Sequence, residues 1–259
     1  MPSKTSGKSE TEQASNGLRA PVASARCAPT GRTNCTVLSK PTEYCVTDGR
    51  YATHILEGVK DEEAGRIMCG GVTAYVACNR SVVRPGQWIV LPGAGGGLGH
   101  FAVQYAKAMG MRVIAVDGGA EKEKLCRSLG AEEFIDFTTC KDIATEAMRI
   151  TTWESHGVLV TAASKEGYAT TPMLLRPGCG TSNDPTVMTG LPIVVCLRKL
   201  NIVGSVVGTL KDVEEALDFT ARGLVYLILT KGILKDVDKF CQLMIAEKLA
   251  GMAVLKVSA

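Results

Sequence analysis

The chain has 259 residues, 46% of them hydrophobic, 21% charged and 5% aromatic, which suits one large α/β domain or a domain and a half and excludes a disordered polymer or a mini-protein. Its 29 lysines and arginines against 26 acidic residues give a formal net charge of +3 without a long basic block, so nucleic acid is not the expected partner. The longest apolar runs, such as residues 224–229, stop far short of the roughly 18 residues of a spanning helix, so no membrane is expected either.

There are ten cysteines, and the N-terminal stretch MPSKTSGKSETEQ lacks the apolar core of a secretory signal. Reduced thiols in a cytoplasmic protein are the expectation. Residues 1–41 are rich in Ser, Thr, Gly, Pro, Lys and Arg and show no periodicity, so they read as a disordered tail.

From residue 51 the composition turns globular, and after residue 87 apolar runs alternate with amphipathic stretches in the manner of βαβ units. Residues 88–92 read as a buried strand, 98–109 as a helix, and 112–116 as a second strand ending at Asp117. Helix 121–129, strand 133–137, helix 142–150 and strand 157–161 supply two more units. A helix over 166–175 ends at Arg176-Pro177-Gly178, and the text from Cys179 to Pro185 offers nothing that favours a strand. That place in the sheet is expected to be empty or filled by residues 193–196, the alternative being a helix over 192–199. A strand at 201–207, a helix at 212–222, and a closing helix and strand near 237–246 and 253–257 complete the chain. The predicted class is a Rossmann-type, doubly wound parallel α/β sheet.

The segment Pro92-Gly-Ala-Gly-Gly-Gly-Leu-Gly-His100 lies between a strand and a helix, where a dinucleotide fold needs its glycines. Glycine lets the backbone approach a pyrophosphate, and the free N–H groups of the helix start attract its charge. Gly95, Gly96, Gly97, Leu98 and Gly99 are the candidate contacts. Ala94 stands where the first glycine of G-x-G-x-x-G belongs, with Gly93 one residue earlier. Asp117 ends the second strand about 20 residues on, the place of the carboxylate that accepts the ribose hydroxyls and repels the extra phosphate of NADP. NAD is therefore the expected cofactor. The plainer reading is that Asp117 caps the Gly118-Gly119 turn.

From residue 43 to 257 the chain resembles the zinc-dependent, medium-chain alcohol dehydrogenases, and among them the fungal branch. The resemblance rests on Ile67-Met-Cys-Gly-Gly-Val-Thr-Ala-Tyr75, on GGGLGHFAVQYAKAMGMRVIAVDGG from Gly95, on Glu133-Phe-Ile-Asp-Phe137, and on Glu215-Ala-Leu-Asp-Phe-Thr-Ala-Arg-Gly-Leu224. It implies four parts: the tail, a remnant of a GroES-like catalytic domain at 42–65, an NAD-binding domain at 66–222, and a return segment of the catalytic domain at 223–259.

The resemblance further implies oxidation of a small alcohol to an aldehyde or ketone by hydride transfer to NAD, with zinc as Lewis acid. Of the family's three zinc ligands only Cys69 has a counterpart, since no Gly-His-Glu occurs and His54, His100 and His156 stand in no ligand context. His100 either touches the cofactor or lies exposed. Cys27 and Cys35 repeat the spacing of two of the four structural zinc ligands, while Ser24 and Pro21 stand at the other two places. Lys122 matches a lysine beside the adenosine ribose, and Met252 replaces an arginine that pairs with the pyrophosphate.

No catalytic residue is assigned, and zinc retention is not expected. The pattern reads as a truncated, mis-spliced or decaying copy. Two other readings stay open: a non-catalytic NAD-binding protein that forms a homo-oligomer or pairs with intact dehydrogenase subunits through the strand at 201–207, and a zinc-independent quinone or enoyl reductase.

Overall fold

A computed structural model describes residues 53–162, 164–182, 192–245, 249 and 251–256. The tail at 1–41, the Cys27 and Cys35 pair, and residues 42–52 lie outside the described residues.

The architecture follows from two strands whose side chains alternate between two apolar layers. In β1 (Trp88–Pro92) and β2 (Arg112–Asp117), Ile89, Leu91, Val113 and Ala115 enter one buried cluster, and Trp88, Val90, Ile114 and Val116 enter the other. Strands apolar on both faces need helices on both faces, which is the doubly wound arrangement.

Ahead of β1 stand α1 (Asp61–Arg66), a π-helical turn (Ile67–Gly71) and α2 (Val72–Arg80). After it come α3 (Gly99–Ala108), β2, α4 (Ala120–Ser128), β3 (Glu133–Asp136), α5 (Ile143–Thr151) and β4 (Ser155–Leu159). The sheet has six strands, all parallel, in the order β3-β2-β1-β4-β5-β6. This is the dinucleotide-binding order, with its reversal point between β1 and β4. The Rossmann-type α/β class read from the sequence is present.

One expectation is overturned. Residues Leu175–Ser182 form β5, hydrogen-bonded to β4 on one side and β6 on the other, so the place thought empty at 179–185 is filled, with 183–185 outside the described residues. The strand is held by its neighbours rather than by its own propensity. Ser155 Oγ donates to Leu174 O at 2.6 Å, and the Arg198 guanidinium donates to Leu175 O at 2.8 Å, to Pro172 O at 3.1 Å and to the Glu154 carboxylate. Gly178, at φ +85°, lies in the stretch of β5 that bulges where the pairing with β4 jumps from Ser155–Leu175 to Gly157–Gly180, and its N–H donates to Arg198 O.

Residues Pro192–Leu197 form α8, so the strand reading of 193–196 gives way to the helical alternative. The helix expected over 166–175 is two short ones, α6 (Lys165–Ala169) and α7 (Thr171–Leu174), with a proline in the first turn of the second. The strand expected at 201–207 is shorter: β6 covers Asn201–Val203. Beyond it, α9 (Leu210–Ala221) starts with a capping box between Thr209 and Asp212.

The chain then forms β7 (Leu229–Ile233), α10 (Val237–Ile245) and β8 (Met252–Lys256), and β7 and β8 pair in parallel as a separate ladder. Sequence reading missed β7, whose centre is Thr-Lys-Gly. Gln104 on α3 anchors this return: its Nε2 donates to Tyr226 O and its Oε1 accepts from Tyr226 N, both at 2.9 Å. Among the described residues no helix is long and apolar enough to cross a membrane.

Because Arg198 satisfies two carbonyls and a carboxylate in a region 15–20% exposed, Arg198→Ala is expected to cost about 2–3 kcal/mol. Urea unfolding measures the loss, and amide exchange should rise first in residues 175–182.

Candidate functional site

The turn between β1 and α3 is built by approaches too close for side chains. A Cβ on Gly99 would stand 2.0 Å from Gly93 O, and one on Gly93, itself at φ +83°, would stand 2.6 Å from Ala162 N. Gly99 lets the start of α3 close against the end of β1, and Gly93 lets the turn close on residue 162 beyond β4.

The amides of the turn divide into engaged and free groups. Gly93 N donates to Val116 O, Gly96 N to Gly93 O, and His100 N to Gly96 O. Gly95 N donates to Asp117 Oδ2 at 2.8 Å. Among the described residues, the N–H groups of Gly97, Leu98 and Gly99 have no acceptor. Three consecutive free donors at the N-terminus of a ten-residue helix have the geometry that suits a phosphate, with the helix dipole in the same sense.

Asp117, 3% exposed, also accepts from Gly118 N and from Lys122 Nζ through Oδ1, both at 2.8 Å. The expected pair of Asp117 and Lys122 is thus brought together beside Gly95, whose Cβ position lies 3.0 Å from the Lys122 stem. The capping reading of Asp117 holds alongside, since Gly118 N is one of its donors.

Cys69 is exposed on the π-helical turn with a free thiol. The next residue faces β8: a Cβ on Gly70 would stand 2.7 Å from Met252 Cε, and one on Gly97 would stand 3.6 Å from the same atom. Met252 therefore lays an apolar thioether between the Cys69 turn and the glycine turn, while Arg66 donates to the carbonyl of Ala253 at 2.7 Å.

Catalytic zinc takes three protein ligands and one open position. Among the described residues no group of three or more His, Cys, Asp or Glu could hold a metal, so Cys69 and its surroundings do not fit that ion. The glycine turn does fit a dinucleotide, because its free amides and closed approaches are what a pyrophosphate requires.

The histidines resolve as follows. His54 is exposed, and His156 accepts the Trp88 N–H at Nδ1 (3.2 Å). His100 is fully buried, which overturns the reading of it as exposed. Its Nδ1 lies 3.1 Å from Gly96 O and its Nε2 has no partner. Burial lowers its pKa from 6.5 to about 4, against the carbonyls of Gly96 and Gly97, which favour the charged ring.

Comparison with known proteins places this geometry. The profile of the family described as zinc-binding dehydrogenase matches residues 97–222. Alcohol dehydrogenase of Schizosaccharomyces pombe is 42% identical over 222 residues, covering 83% of this chain and 63% of the relative. Alcohol dehydrogenase 1 of Emericella nidulans is 38% identical over 241 residues, covering 89% and 67%. The chain belongs to the medium-chain alcohol dehydrogenase family. The crystal structure of the alcohol dehydrogenase from Aeropyrum pernix superposes with a TM-score of 0.75 at 26% identity, covering 83% of this chain and 64% of that one. This family member thus spans somewhat less than two thirds of the S. pombe and A. pernix proteins it matches.

Sequence reasoning missed the bond from Gly95 to Asp117, and with it the division of the turn into engaged and free amides. A carboxylate at the end of β2, one residue beyond the pairing of Pro92 with Val116, is the signal that could have found it.

Gly99→Ala is expected to destabilise the protein by roughly 3 kcal/mol, since the obstacle is backbone, and thermal unfolding checks this. For His100, the unfolded chain binds a proton near pH 6.5 and the folded one only near 4. Its contribution is therefore intact above pH 6.5 and lost as the pH falls through about 4, about 3 kcal/mol in all. Urea unfolding at pH 7 and pH 4 should show that difference, reduced in His100→Gln.

Proposed function

We propose that this chain binds NAD and does not oxidise alcohols by itself. In this reading the amides of Gly97, Leu98 and Gly99 hold the pyrophosphate, Gly95 and Gly96 shape the turn, and Asp117 and Lys122 meet the adenosine ribose. The observation that carries it is the row of three free amides at the end of β1, next to a buried carboxylate at the end of β2.

An ionised carboxylate has about four lone-pair sites, and three are occupied by Gly95, Gly118 and Lys122. That leaves room for one ribose hydroxyl and none for a phosphate. NADP is disfavoured by the charge of Asp117 in a partly desolvated cleft, which also speaks against a quinone or enoyl reductase using NADPH. Bound NAD would supply the hydride acceptor of the family reaction, for which the relatives' name, alcohol dehydrogenase, supports a small alcohol as partner substrate. The cytoplasmic setting belongs to the same reading and is supported by the free cysteines among the described residues.

A second reading is subunit pairing. The edge strand β6 exposes Ile202, and Leu197 and Val206 beside it are 75% and 82% exposed; an open edge of this kind accepts another chain. Native mass spectrometry would show dimers if this reading holds and only monomers if it does not.

Calorimetric titration should give one NAD bound per chain and weaker NADP; equal or tighter NADP binding contradicts the assignment. Elemental analysis should find well under one zinc per chain, and an NADH absorbance assay with ethanol should show little or no turnover. About one zinc with brisk, chelator-sensitive oxidation would overturn the second half of the proposal. Met252→Arg is expected to tighten NAD about tenfold, as one charge-assisted bond to phosphate allows, without restoring turnover.

A further inference from the structure

His100 has no task in that reading, and its position is an expensive one for a residue without a task. The ring is fully buried against the glycine turn and lies beside Phe101, with centroids 4.1 Å apart and planes tilted by 35°. Its Nδ1 gives a hydrogen to Gly96 O, so Nε2 carries a lone pair, and no donor reaches it. A buried acceptor without a donor costs free energy that an apolar side chain there would avoid. The ring belongs to the residue that directly follows the free amides of Gly97, Leu98 and Gly99. Both the Gly96 and the Gly97 carbonyls act on it in the sense that favours a cation.

We propose that His100 is the proton-linked part of the anion cradle: when a dinucleotide pyrophosphate seats on the Gly97, Leu98 and Gly99 amides, Nε2 takes up a proton and the imidazolium adds a full positive charge beside the phosphates. The inference rests on the NAD-binding reading. One N–H bond forms at Nε2, the proton comes from water or buffer, and no other bond changes.

The other cations near the turn are engaged: Arg66 donates to Ala253 O. Lys122 is committed to Asp117, and Met252 is neutral. On α3 itself the titratable groups are Tyr105 and Lys107. The elements packed against α3 carry Cys69 on the π-helical turn, Tyr75, Cys78 and Arg80 on α2, and Arg112 and Asp117 on β2. None of these sets the ring's protonation in the free protein, where burial dominates and the two carbonyls oppose it. The phosphates are then the first negative charges to act on it, and a nearby opposite charge favours the protonated form.

The chain has three histidines, so histidine-labelled NMR can follow each ring. Titration of the full chain from pH 4 to 8 should be run alone, with NAD, and with inorganic pyrophosphate. The His100 midpoint is expected to move from about 4 to roughly 6 with either ligand. NAD affinity should fall about fourfold from pH 5.5 to pH 7.5, with a flatter profile in His100→Gln. NAD binding that leaves the His100 midpoint unmoved overturns the inference and leaves the NAD reading intact. Pyrophosphate binding with the shift, but no NAD binding, supports the cradle and overturns the NAD reading. Binding of neither overturns both. If His100→Gln does not fold, the titration of the unaltered protein decides.

Discussion

Everything at the glycine turn depends on one buried carboxylate. Asp117 is carried one residue past the last pairing of β1 with β2, and from there it reaches Gly95 N, Gly118 N and Lys122 Nζ, each at 2.8 Å. Three donors satisfy a charge that is 3% exposed. By engaging Gly95, the carboxylate fixes the turn so that the next free amides are those of Gly97, Leu98 and Gly99. The residue read as a cofactor contact is thus first a support for the loop. Asp117→Ser, which charge alone would assign to a switch toward NADP, also releases Gly95, and the turn loses its anchor for either cofactor.

How far the sequence reveals this depends on what kind of signal each element carries. Strands β1 and β2 are written as unbroken apolar runs, and the glycines and Asp117 stand at fixed offsets from them, so fold class and turn were legible. Strand β5 was not, because Leu-Arg-Pro-Gly-Cys-Gly-Thr-Ser has weak strand propensity and is held by Arg198, Ser155 and its two neighbours. Those partners are joined by bonds that span 19 or more residues of chain. The same limit hid the burial of His100, which a helix-start position alone leaves open. The Val-Val pair after Ile193 favours a strand locally and is helical in the fold, a case of tertiary context overriding propensity.

The site also shows which parts of family chemistry this chain's residues fit. The cofactor half is intact in its backbone: closed approaches at Gly93 and Gly99, free amides, and the pair of Asp117 and Lys122. The electrostatic additions differ. Met252 contributes no charge where it lies over Gly97, and Cys69 stands exposed without other metal-binding groups among the described residues. Backbone geometry that suits a nucleotide is therefore separable from the side chains that activate an alcohol, and among the described residues no group of three metal-binding side chains accompanies it.

In the proposed reading the free amides after Gly96 receive the pyrophosphate while Gly95 stays with Asp117. Amide NMR of chelator-treated protein, followed as NAD is added, tests it most directly. Large shifts are expected at Gly97, Leu98 and Gly99, with a nearly unmoved Gly95 signal. Shifts absent from those three amides while NAD binds elsewhere, or appearing only after zinc is supplied, would contradict it.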